Sequence, residues 1–346
     1  MTTNDNADPR LINLERWIAG LPGPALERIL PASPDASFRR YFRVHRGGGT
    51  QVAMDAPPER EGLDAWLRVA RILAATGVHV PQVIAVDVEQ GFVLMDDLGR
   101  RHYLETLGQG ADPEPLYADA VDALVRMQSG AADEAAELPL YDRDHLMREL
   151  ELFPEWFLAR HLSLSPDADE RAAIAAAFDW LCDEALAQPV VLVHRDYHSR
   201  NLLVRPADNP GIVDFQDAVR GPVTYDLVSL LKDCYVVWPR KRLLGWLDRY
   251  RAGAQAAGID VGSDREEYLR WFDRMGLQRH LKVLGIFARL WHRDGKPGYL
   301  GDLPRVLDYT LDVTAAQPEL AQFDRFLRRQ VVPAFTAAAR RGSHAR

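Results

Sequence analysis

Residues 191–204 read VLVHRDYHSRNLLV. An apolar run breaks at His194, delivers Asp196 two residues later and Asn201 five after that, then turns apolar again. Ten residues on, GIVDF ends a second apolar run at Asp214, and RPADNP between the runs is a strong turn signal. If the two runs pair as a hairpin, Asn201 and Asp214 meet near its open end, with Asp196 in the loop before it. Hard oxygen ligands with no cysteine among them suit Mg²⁺, which completes its shell with water and phosphate oxygens. A carboxylate left free of metal can orient a hydroxyl and take its proton. That combination is the apparatus of phosphoryl transfer, in which positioning and charge neutralisation do most of the work.

The elements that must hold these residues follow from patterning. Residues 11–30, LINLERWIAGLPGPALERIL, predict a short leading helix. YFRV and QVAM predict two strands joined through HRGGGT, whose glycines supply positive φ. Residues 63–75 place Leu63, Trp66, Leu67, Ala70 and Leu73 on one helical face. VPQVIAVD and GFVLMDDL predict a further strand pair turning at Glu89-Gln90-Gly91. Helical patterns then cover 113–128, 143–162, 168–187 and, among later stretches, 278–293, while 129–140 reads as a surface connection and the last residues, ARRGSHAR, as a frayed tail. The expected class is α+β, with a β-rich lobe over 1–98 and a larger helical lobe over 99–346 carrying the chemistry.

The totals exclude other classes without naming a function. The chain has 346 residues, 47% hydrophobic and 27% charged, ordinary for a water-soluble globular protein. No apolar run approaches the roughly 18–20 residues that span a bilayer, and MTTNDNADPR lacks the basic and apolar segments of a signal peptide. Two cysteines, Cys182 and Cys234, lack metal-ligand spacing, so a reducing cytoplasm is expected. A net charge of −8 disfavours a general nucleic-acid binder. Neither a membrane nor an obligate protein partner is implied.

The pattern H-x-D-x-x-x-x-N followed by Asp, here HRDYHSRN and IVDFQD, resembles the catalytic and metal loops of the protein-kinase-like fold. Gln216 stands where a protein kinase has Gly, no A-P-E segment is evident, and VTYDLVSLLKD follows. This looks like the aminoglycoside phosphotransferase branch of small-molecule kinases. Within it, DASFRRYFRV, MDAPPE, HRDYHSRNLL, IVDFQDAVRGPVTYDLVSLLKDCY and GYLGDLPRVLDY resemble bacterial kinases that phosphorylate the anomeric hydroxyl of N-acetylmuramate and N-acetylglucosamine for cell-wall recycling. The resemblance implies a bilobal fold, ATP and Mg²⁺ as cofactors and an amino sugar as substrate. It implies Asp196 as catalytic base, Asn201 and Asp214 as metal ligands, and His194 and Asp226 as structural braces of the loop. It puts LMDD, with Met95, Asp96 and Asp97, at the adenine-binding connector. SFRRY, with Ser37, Phe38, Arg39 and Arg40, falls at the loop over the phosphates.

Two departures qualify this. The phosphate loop has no glycine, and QVAMDAP puts Met54 or Asp55, depending on register, where the family presents a lysine to the α- and β-phosphates. Arg39, Arg40 and Arg43 are the nearby cations, and a guanidinium suits bidentate phosphate contact. His198 is divided between substrate contact and solvent, and Asp217 between a helix cap or surface role and a second metal or substrate contact. Two other readings stand beside the sugar kinase: an aminoglycoside or amino-alcohol kinase, and a catalytically silent kinase-like binding module. Residues 265–293 carry seven Lys or Arg against three acids, which favours a neutral or anionic substrate over a polycationic drug.

Overall fold

The structure is a computed structural model describing residues 8–33, 38–131 and 134–344. By packing, the chain divides into two units: one through Ala131 together with Arg200–Asp217, the other Ala132–Ser199 with Ala218 onward. The helices that follow residue 98 as far as Ala131 therefore group with the sheet.

In the first unit, α1 (Pro9–Gly20) starts under an Asp8 cap and is followed by β1 (Leu26–Ser33), β2 (Arg40–Arg46), β3 (Gly49–Asp55), α2 (Asp64–Ala75), β4 (Val83–Asp87), β5 (Phe92–Asp96), α3 (Tyr103–Gly108) and α4 (Pro113–Gly130). The sheet is antiparallel in the order β1-β2-β3-β5-β4. Gly47 and Gly48, at φ 60° and 76°, form the two-residue turn between β2 and β3, the handedness that matches strand twist. One face of the sheet, Phe42, Val44, Ala53, Phe92 and Leu94, packs on Leu14 and Ile18 of α1.

The leading helix is shorter than its pattern predicts. It stops at Gly20, and Leu26–Ser33, expected to continue it, is the edge strand β1. Pro22, Gly23 and Pro24 interrupt the helical ladder. Beyond them Leu26 and Ile29 pack against the same core as α1, so tertiary burial overrides local propensity.

The predicted hairpin is present: Leu202–Leu203 pairs with Gly211–Ile212. It is moored within the first unit by Val204 N to Arg101 O (2.8 Å) and Ile212 N to His79 O (2.7 Å). The Asn209 amide donates to Tyr103 Oη (2.7 Å) and Asp119 Oδ2 (2.8 Å) on α3 and α4.

Among the described residues the second unit is mainly helical, with a strand pair, Val190–Val193 against Val219–Pro222, that Leu140 joins by a single bridge to Arg220. Its helices are α5 (Arg143–Leu150), α6 (Ala168–Leu186), α7 (Tyr225–Leu231), α8 (Arg240–Ala256), α9 (Arg265–His292), α10 (Leu303–Ala315), α11 (Ala321–Phe326) and α12 (Val332–His344). Two expectations are corrected. The helix predicted over 143–162 is α-helical only to Leu150 and becomes a π-helical segment at Phe153–His161, with Pro154 at its start, where proline's missing N–H removes a regular ladder bond. The tail expected to fray is helical as far as His344, and its last two residues, 345–346, lie outside the described residues.

Helix α9 is the spine of this unit, with buried side chains along nearly its whole length. It lies so close to the start of the π segment that a Cβ on Gly285 would stand 2.4 Å from the Leu152 carbonyl carbon and oxygen. Ala is favoured over Gly in a helix by about 1 kcal/mol, but forcing backbone apart at such a contact costs about 1–3 kcal/mol. Gly285→Ala is therefore expected to lower the melting temperature, measured by thermal unfolding. An unchanged or raised value would show that α9 yields here without cost.

Candidate functional site

The two halves of the sequence motif belong to different packing units, so each is described by itself. In the first unit Val213 N donates to Asn201 O at 3.1 Å, carrying the hairpin ladder one step outward. This sets Asn201 against Asp214, with Asn201 Nδ2 at 3.1 Å from Asp214 Oδ2. Asp214 is exposed and held at φ 65°, a left-handed conformation that side-chain-bearing residues rarely adopt outside constrained sites. Its other oxygen accepts from Gln216 Nε2 at 2.9 Å, and Gln216 also reaches exposed Asp217 at 3.4 Å. The next ring, Phe215, packs on Trp66 of α2 at 5.3 Å between centroids.

These residues fit a magnesium ion. One carboxylate and one amide oxygen, with water and phosphate completing the shell, is how proteins usually bind Mg²⁺. Among the described residues no group of three or more His, Cys, Asp or Glu forms a dedicated cage.

The sheet settles the register left open at the missing lysine. Asp55 is on the face that includes Ala53, which α1 covers, and Met54 points to the opposite face. Asp55 is fully buried and gathers two arginines, Arg10 Nε of α1 at 2.8 Å and Arg40 Nε of β2 at 3.0 Å. Arg40 also pairs with Asp8. Arg10 lies over the Phe92 ring at 5.2 Å. Arg43 is on the Met54 face, where it forks Asp97 at 2.6 and 2.9 Å and donates to Gly99 O at 3.0 Å. Burial would raise the Asp97 carboxyl, but Arg43 and the Gly99 amide hold it below the usual range. Arg39 pairs with Glu61 at 2.9 Å, and Phe38 is exposed beneath the Arg60 guanidinium at 4.6 Å. Ser37 lies outside the described residues. Met95 is buried, and Asp96 accepts from the Gln82 amide.

In the second unit, the loop that carries Asp196 is held from beneath. Asp226 of α7 is fully buried and accepts from His194 N at 2.7 Å and Arg195 N at 2.9 Å. Burial pushes its carboxyl up to about 7, against those two bonds and Arg279. Arg195 is at φ 76°. Its guanidinium reaches Glu149 Oε1 at 2.5 Å, and Lys282 Nζ reaches the same oxygen at 2.8 Å. Tyr141 Oη donates to the other Glu149 oxygen. Burial opposes the Glu149 charge, yet Lys282 and Arg195 hold its carboxyl at about 2.

The same cations reach Asp196. Its side chain is 40% exposed, and Arg279 Nη2 stands 4.0 Å from Oδ1. Partial enclosure raises its carboxyl, but Lys282, His198, Arg279 and Arg195 outweigh that and hold it at about 2. Asp196 is thus ionised and able to accept a hydrogen bond throughout the neutral range. His194 is fully buried, with Nδ1 accepting from Asp196 N at 3.3 Å. His198 is half-buried, its ring edge-on to Tyr235 at 5.6 Å. Asp233 anchors the end of the loop through Ser199 N at 3.0 Å and its hydroxyl at 2.5 Å.

The sequence reading missed Glu149, Arg279, Lys282, Asp233 and Arg10. Arg279 and Lys282 carried a usable signal, two cations three residues apart inside an apolar helical stretch. The basic bias of residues 265–293 is mostly consumed internally: Arg265 pairs with Asp248, Arg270 with Asp264, Arg274 with Glu184 and Arg293 with Asp294. The bias therefore does not by itself describe the substrate.

Comparison with known proteins agrees with this chemistry. The phosphotransferase enzyme family matches residues 28–271. A Pseudomonas aeruginosa protein named N-acetylmuramate/N-acetylglucosamine kinase is 48% identical over 323 residues, covering 93% of each chain. A Pseudomonas putida protein of the same name is 50% identical over 299 residues, covering 86% of this chain and 87% of its own. The solved structure of an ADP-bound aminoglycoside phosphotransferase superposes with a TM-score of 0.57 at 14% identity, covering 88% of this chain and 98% of its own. That likeness is one of fold: an α+β, bilobal, kinase-like architecture.

Removing the Glu149 charge takes the nearest counter-ion from buried Lys282 and half-buried Arg195, and breaking a buried pair costs at most about 3–5 kcal/mol. Because the folded carboxyl titrates near 2, below its ordinary value of 4.5, its stabilisation is complete above pH 4.5 and lost as pH falls toward 2. The melting-temperature gap between the wild type and Glu149→Gln is expected to be widest above pH 4.5 and to close on acidification. A gap that stays constant from pH 6 to pH 3 would contradict the ion-pair account.

Proposed function

The chain belongs to the phosphotransferase enzyme family, and we propose that it transfers the γ-phosphoryl group of ATP to the anomeric hydroxyl of N-acetylmuramate and N-acetylglucosamine. The observation that carries this reading is the 48% identity to a kinase of that name across 93% of the chain. The loop chemistry supports it independently.

Asp196 acts as the general base. An anomeric hydroxyl is more acidic than an ordinary alcohol, because the ring oxygen withdraws charge from the developing alkoxide. In a largely dissociative transition state the base orients the nucleophile and takes its proton late. A carboxylate held ionised by Lys282, His198, Arg279 and Arg195 suits that task, since orientation matters more than basicity. Asn201 and Asp214 would hold Mg²⁺, which supplies charge neutralisation on the phosphates when bound. Asp226 and Glu149 fix the loop backbone and the Arg195 side chain, and so the direction of Asp196.

The lobe over 1–98 covers the nucleotide in this reading, with Phe38, Ser37 and the Met95–Asp97 connector as its contacts. Arg43 is the cation best suited to replace the absent lysine, because it shares the Met54 face and is buried there, whereas Arg40 is on the opposite face with Asp55 and Arg39 is closed on Glu61. His198 and Asp217 are proposed as substrate contacts.

The test is to incubate the protein with ATP and Mg²⁺ and each sugar, and to examine the product by phosphorus and proton NMR. Phosphate coupled to the anomeric proton is the expected result. Phosphate on the 6-hydroxyl, or turnover with aminoglycosides alone, would overturn the assignment. In the same assay Asp196→Asn, which keeps shape and removes the base, should lower turnover by about 10² or more while nucleotide affinity holds. Near-normal turnover in that variant would remove Asp196 from the chemistry.

A further inference from the structure

At about 100° per residue, Arg279, Lys282, Ile286, Arg289 and Arg293 fall on one stripe of α9. Burial along the stripe decreases toward its C-terminal end. Arg279 and Lys282 are buried, Ile286 and Arg289 are half-buried, and Arg293 is exposed. The two buried cations hold Asp196 ionised. They are committed, Arg279 also to Ser229 Oγ at 2.7 Å and Lys282 to Glu149 at 2.8 Å. Arg293 is closed on Asp294 at 2.6 Å.

Arg289 differs from all three. Its Nε is buried with no hydrogen-bond partner, and it forms no ion pair among the described residues. Glu155 and Asp294 are near enough to be felt, but burial and Arg293 push the guanidinium below its ordinary value. A half-buried guanidinium without a counter-ion is costly to keep. It is the arrangement expected of a group that waits for an anion.

We infer that Arg289 receives the lactyl carboxylate of N-acetylmuramate and so sets the preference between the two N-acetyl sugars. This rests on the proposed sugar 1-kinase reading. The dimensions agree with it. Six bonds of about 1.5 Å put the carboxylate roughly 6–7 Å from the anomeric oxygen. Lys282 and Arg289 are about 10.5 Å apart along the helix axis, and helical side chains lean toward the N-terminus, which returns the Arg289 head toward Lys282. A guanidinium binds a carboxylate through two parallel hydrogen bonds. N-acetylglucosamine has no such group and makes no demand on Arg289.

The experiment compares wild type, Arg289→Met and Arg289→Lys with both sugars, by steady-state kinetics and by calorimetry of sugar binding without nucleotide. Arg289→Met should lower kcat/KM for N-acetylmuramate about 10- to 100-fold, the usual worth of a charge-assisted pair, with the change mostly in KM because the contact is remote from the reacting atoms. Its affinity for N-acetylmuramate should fall in parallel, while N-acetylglucosamine turnover, which also reports folding, is retained. Arg289→Lys keeps the charge without the fork and should fall between. Equal losses with both sugars, or no loss with either, would overturn the inference while leaving the sugar-kinase reading intact. A wild type that phosphorylates neither sugar would overturn that reading first and this inference with it.

Discussion

The direction of Asp196 depends on two buried carboxylates acting on the residue before it. Asp226 takes the Arg195 amide and Glu149 takes its guanidinium, so a backbone in the left-handed region is gripped at both ends. Neither contact alone would do this. The amide bond fixes the peptide plane but leaves the side chain free, and the side-chain pair fixes a long flexible arm but leaves the peptide free. Together they hold a strained turn in place, with the cost offset by charge pairing to buried Glu149 and Asp226. The same lysine that balances Glu149 also acts on Asp196, so loop geometry and the ionisation of that carboxylate are set by one group of charges.

Much of this was legible in the sequence, for identifiable reasons. Asn201 and Asp214 were found because they flank a short hairpin whose turn residues announce it, and local pairing needs no distant partner. The β2–β3 and β4–β5 pairs were found by alternation and glycine. The class of Asp226 followed from its motif. Other features resisted because their causes are far away in the chain. Arg195 and Glu149 are 46 positions apart, and Arg10 and Asp55 are 45. No periodicity marks such pairs. Leu26–Ser33 has helix-like spacing and becomes a strand only because β2 and the α1 core take its apolar side chains. The turn to π geometry after Leu150 had a local mark in Pro154, which the helical spacing of 143–162 masked.

The charge count over residues 265–293 shows a different failure. Composition counts charges without their partners, and here four of the arginines are closed on acids from within the same unit. What remained informative was the exception. One guanidinium without a partner says more about a ligand than a surplus of cations whose charges are already matched.

The acid at the end of β3 constrains what can replace it. A lysine introduced in place of Asp55 would not recreate the phosphate contact of other kinases. It would stand on the face covered by α1, a third cation beside Arg10 and Arg40 with their shared carboxylate gone. Met54 is on the opposite face, but its position is closed to solvent. Through Arg10 the leading helix therefore helps hold an acid at residue 55, and a cation for the phosphates has to be looked for elsewhere.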